Sequence, residues 1–93
     1  MGSREDAKTL VEWCLNEING ENWAHDEAKG DYDLQSGLSN GLKKVLKDMV
    51  AEQWTDAYAE LANVNAISAP LGAEHAVRQA ILRVMELLQQ AKR

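Results

Sequence analysis

Apolar residues recur three and four positions apart through most of this chain, with polar residues filling the gaps between them. That spacing marks helices with one buried face. The longest such stretch runs from Asp33 to Asn63. It carries Leu34, Leu38, Leu42, Val45, Leu46, Met49, Val50, Trp54, Ala57, Tyr58 and Leu61 without a proline or turn cluster. The pattern predicts one long amphipathic helix over 34–62, capped by Asp33; the alternative is a break near Glu52 and Gln53, although no residue there demands one. At ~1.5 Å per residue it would extend about 40 Å, more than a small domain is wide, so shorter helices or a second chain must cover it.

Two further helices flank it. Ala7, Leu10, Val11, Cys14, Leu15 and Ile18 predict a helix over 3–19, with Ser3 as its cap, Glu5 and Asp6 in the first turn, and Gly20 closing it in a left-handed conformation. Trp13 falls off the centre of that face, either flanking the core or standing out as an anchor for a partner. Toward the other end, Ala76, Val77, Ala80, Ile81, Val84, Leu87 and Leu88 predict a helix over 71–91, with Ser68 as its cap and Pro70 in its first turn. Residues 21–33 are too polar for core, and a short helix over 22–29, stopped by Gly30, is expected within them. Gly37 and Gly41 are explained by close approach of a neighbouring helix, or else the long helix begins only at Ser39 or Asn40.

Composition agrees with an all-α fold: Ala and Leu are plentiful, β-branched residues are sparse and Phe is absent. Ninety-three residues with 45% hydrophobic content suit a single domain over 1–93, a small bundle of three main helices with a thin core. The opening Met1-Gly2-Ser3 reads as an expression remnant or a bare start rather than a targeting signal, because no apolar run follows it. No run of about eighteen apolar residues exists to span a membrane. One cysteine, Cys14, permits no internal disulfide, and a cytoplasmic setting is the expectation.

Charge changes the picture more. The net charge is −5, and residues 1–33 hold nine acidic against three basic residues, a balance of −6, while the remainder holds six against seven, a balance of +1. A field of that sign repels nucleic acid and attracts basic surfaces, screened by salt over about 10 Å. Trp23 and Tyr32 lie inside the acidic stretch, and charge-ringed aromatics are common in protein interfaces.

Candidate chemistry is thin. Asp31, Asp33 and Gln35 resemble the opening of a calcium loop, but its sixth and twelfth positions hold Ser36 and Leu42 instead of Gly and Glu. His25 stands beside Asp26 and Glu27, and His75 beside Glu74. Adjacent helical residues point about 100° apart, so neither pair shares a face for a metal. Cys14 lies on the apolar stripe, where a thiol is a small hydrophobe. The run Gly37 to Lys43 lacks P-loop spacing. Lys43, Lys44 and Lys47 form a basic patch, interrupted by Asp48, that reads as a solvated helix face.

These observations point to a non-enzymatic protein-binding module that docks on a basic surface of a partner protein as inhibitor or adaptor, using Trp23, Asp26, Glu27, Asp31, Tyr32 and Asp33. No catalytic residue, metal or cofactor is expected, and no direct contact with nucleic acid or membrane. Two alternatives remain: a homo-oligomeric bundle subunit burying the wide stripes of the long and C-terminal helices, and a metal or enzymatic site built from His25, His75 and the acidic cluster.

Overall fold

The computed structural model describes residues 2–20 and 32–92. Among them the fold is all-α: α1 (Ser3–Ile18), α2 (Tyr32–Val50), α3 (Trp54–Ile67), a 3-10 turn (Ala69–Leu71) and α4 (Ala76–Lys92). The expected short helix over 22–29 lies outside the described residues.

The expected 34–62 helix is two helices. Its break is a hydrogen-bonded reversal: the Glu52 N–H donates to the Met49 carbonyl at 3.0 Å and the Gln53 N–H to the Asp48 carbonyl at 2.8 Å. This is the paired closure of a Schellman motif, which requires a left-handed residue at its centre. Glu52 supplies it with φ 62°, so the turn is made by a residue type that resists it. Gln53 then opens α3, its carbonyl accepting from the Ala57 N–H at 2.9 Å.

Other boundaries also move. Gly2, rather than Ser3, precedes the first turn, its carbonyl accepting from the N–H groups of Glu5 and Asp6. Gly20 does not take the expected left-handed conformation; instead Asn19 ends α1, its side-chain amide and backbone N–H both donating to the Leu15 carbonyl. Tyr32 opens α2, one residue before the expected cap at Asp33. Ser68 ends α3, with its hydroxyl donating to the Asn65 carbonyl at 2.7 Å, and Pro70 belongs to the 3-10 turn. The last helix starts at Ala76 instead of 71. Its cap is His75, whose carbonyl accepts from the Gln79 N–H and whose Nδ1 accepts from the Val77 N–H at 3.1 Å.

Each helix packs on its neighbours in sequence, and α1 closes the ring on α4. The contacts set an antiparallel register. Gly37 lies beside Ile67, Gly41 beside Val64, and Lys44 pairs with Glu60, so α2 and α3 run in opposite directions. Gln35 donates to the Ile18 carbonyl at 2.7 Å, joining the end of α1 to the start of α2. Gln89 donates to the Tyr58 hydroxyl at 2.8 Å, joining the end of α4 to the start of α3. The result is an up-down-up-down four-helix bundle.

Its core has one rule. The central buried positions step by four, three and four along each helix or into its cap: Ala7, Val11, Cys14 and Ile18; Leu38, Leu42, Val45 and Met49; Ala57, Leu61, Val64 and Ser68; Val77, Ile81, Val84 and Leu88, with Ser39, Gly41 and Leu87 buried beside them. This is the seam spacing of supercoiled bundles. Given the antiparallel register, the four sets form four levels. Small residues share levels with large ones, Ala7 and Ala57 with Met49 and Leu88, Cys14 with Leu42 and Ile81, and Ser68 with Ile18 and Leu38, a pairing that suits close packing. Leu10, Leu46, Trp54, Tyr58 and Met85 pack around this core half-buried. Most of the wide stripes that suggested self-association is covered within one chain, while Val50 remains 64% exposed. Among the described residues no helix is long and apolar enough to cross a membrane.

Candidate functional site

Of the six residues expected to bind a partner, Trp23, Asp26, Glu27 and Asp31 lie outside the described residues, as does His25. Tyr32 and Asp33 form the first turn of α2, so the acidic segment leads directly into a helix of the bundle.

The groups weighed for chemistry are placed clearly. Cys14 is fully buried, with Sγ 4.0 Å from the Val77 carbonyl oxygen on the facing helix. Burial, and secondarily the Glu17 carboxylate, push its thiol up to about 12, so it stays protonated and unreactive at neutral pH. His75 is committed to capping α4 through Nδ1. Among the described residues no three His, Cys, Asp or Glu side chains converge as metal ligands. Gln35, Ser36, Gly37 and Gly41 are helical, so neither the calcium-loop nor the phosphate-loop resemblance has a loop to support it.

The basic patch divides. Lys43 and Lys47 are exposed, whereas Lys44 reaches Glu60 on α3 at 3.5 Å. A polar groove between α2 and α3 lies beneath that pair, lined by Asp48, Asp56 and Glu60 as well as Lys44. The groove carries more negative than positive charge, so Lys44 does not make it an anion site.

The outer side of α1 bears a different surface. Glu5, Asp6, Glu12 and Glu17 are all exposed, and Trp13 among them is 38% exposed. The two basic residues of α1 lie off the Trp13 stripe, although Lys8 stands beside Glu5 and Glu12 at helical spacing. Arg4 lies over the Trp54 ring, 5.0 Å from its centroid, a cation–π contact that commits its charge to the bundle. Lys8 stands five residues before Trp13, about 140° round the helix. Among the described residues the ion pairs are Lys44–Glu60 and Arg83–Glu86, neither on α1. The sequence signal for this surface was already present, since Trp13 falls off the apolar stripe at a position whose neighbours are acidic.

Compared with protein-family models, curated proteins and solved structures, the chain has no match.

Proposed function

We propose that this protein is a non-enzymatic binding module, a rigid helical scaffold that presents an acidic N-terminal third to a basic surface of another protein and acts as inhibitor or adaptor in the cytoplasm. The observation that carries the reading is the partition of charge, −6 over residues 1–33 against +1 over the rest. The exposure of the α1 carboxylates supports it, because charges in solvent remain available to steer a partner. The fates of Cys14 and His75 support the non-enzymatic part: one is a buried protonated thiol and the other a helix cap. Trp23, Asp26, Glu27, Asp31, Tyr32 and Asp33 are the proposed contact residues.

The test begins with crosslinking in cells to identify the partner, followed by calorimetric titration at low and high salt. Affinity should fall steeply as salt rises, and the variant Asp26→Asn, Glu27→Gln, Asp31→Asn, Asp33→Asn should bind more weakly at low salt. Affinity indifferent to both changes would remove the electrostatic basis of the reading.

A further inference from the structure

The acidic third has two parts, and the described part contains a feature that charge counting alone does not reveal. Trp13 is the one large aromatic of α1, and it is 38% exposed on the side turned away from the buried set Ala7, Val11, Cys14 and Ile18. Asp6 stands seven residues before it and Glu17 four after it, intervals that place both along its own stripe of the helix. Glu12 adjoins it on the other side. Among the described residues the remaining exposed large apolar side chains, Val50, Ile67 and Leu82, stand on other helices. Trp13 is thus an apolar island on an acidic stripe of α1, with Lys8 about 140° and Arg4 about 180° round the helix from it and Arg4 held over Trp54.

We propose that this face of α1 is a docking surface for an arginine-bearing segment of the partner protein, with Trp13 as its anchor. The inference rests on the reading above, that the partner is basic, and adds where and how it is gripped. Arginine is the occupant because its guanidinium does two things at once: its plane stacks on an aromatic ring, and its edge pairs bidentately with carboxylates such as Glu12 and Glu17. Lysine, a compact and strongly hydrated charge, gains less from the ring. An exposed tryptophan surrounded by charge matches the residue types that dominate binding energy at protein interfaces.

The test uses two synthetic peptides of equal length, nona-arginine and nona-lysine, titrated calorimetrically into four proteins: wild type, Trp13→Ala, Glu12→Gln with Glu17→Gln, and the variant neutralised at Asp26, Glu27, Asp31 and Asp33. Thermal melts confirm that each variant is folded, which an exposed Trp13 and two exposed carboxylates permit. The expected result is tighter binding of nona-arginine than of nona-lysine to wild type. Trp13→Ala should weaken nona-arginine roughly fivefold and nona-lysine by less than about twofold. Glu12→Gln with Glu17→Gln should weaken both. Equal affinity of Trp13→Ala and wild type for nona-arginine would overturn the proposal. Loss of binding only in the Asp26 to Asp33 variant would overturn it too, while leaving the broader reading in place. No salt-sensitive binding to any of the four proteins would overturn both.

Discussion

Gly41 offers the sharpest check on the packing of α2 against α3. A Cβ built on it falls 2.5 Å from Val64 Cγ2, while one on Gly37 meets Ile67 Cγ2 at an ordinary 3.5 Å. Both glycines lie in the same helix, so Gly→Ala gains about 1 kcal/mol of helix propensity at either. The difference between them is steric. Carbon atoms are best placed about 3.5–4.0 Å apart, and Val64 cannot swing aside, because a β-branched side chain in a helix is held near one rotamer. Overpacking of this kind costs about 1–3 kcal/mol, so Gly41→Ala should be destabilising by up to about 2 kcal/mol net. Gly37→Ala should stabilise by up to about 1 kcal/mol. At about 4–8 °C per kcal/mol for a domain of this size, the two thermal midpoints should move in opposite directions. Urea unfolding followed by far-UV circular dichroism measures both, and adding Val64→Ala completes a double-mutant cycle. Removing Cγ2 should make Gly41→Ala favourable, with a coupling of about 1–2 kcal/mol. If Gly41→Ala stabilises as much as Gly37→Ala, the helices do not approach as closely as described.

Three further outcomes are expected. Glu52→Gly should raise stability by about 0.5–1 kcal/mol in the same assay, since glycine adopts a φ of 62° without the clash Glu52 bears; a loss would mean that the turn is not left-handed in solution. His75→Ala should cost about 1 kcal/mol by removing the α4 cap, and His75→Asn should retain most of it. Stability should decline between pH 9 and 12. In that window the unfolded thiol of Cys14 ionises while the folded one, held up to about 12, stays protonated, so the unfolded state binds fewer protons and is favoured as pH rises. The full shift is worth up to about 4 kcal/mol, and Cys14→Ala should flatten the wild-type profile over that interval.

The helical class, the apolar faces and the role of Gly41 were legible in residue spacing. The α2–α3 break was legible too, in a signal that a loose three-or-four rule overlooks. After Leu38, Leu42, Val45 and Met49 a strict pattern calls for positions 52 and 56, which hold Glu52 and Asp56. The buried residue is Ala57, one position late. At about 100° per residue, a continuous helix would turn the two apolar faces about 100° apart. No glycine or proline marks the place because the Schellman hydrogen bonds carry Glu52 through it. His75 was unreadable as a cap, since histidine is not among the usual capping types. Ser68 hid a core position behind a polar side chain, buried because its hydroxyl is satisfied by the Asn65 carbonyl.

The ring of four helices closes where α1 meets α4, and Cys14 stands at that seam, 63 residues from the Val77 carbonyl it faces. The α2–α3 hairpin spans a turn of three residues, so its loop-closure entropy is far smaller. Assembly should therefore proceed from the hairpin outward, with α1 docking on α4 as the final event. The chain's single thiol stands at that final contact. Pulsed thiol labelling during refolding reads its burial directly, and protection that arrives before the hairpin has formed would contradict this order.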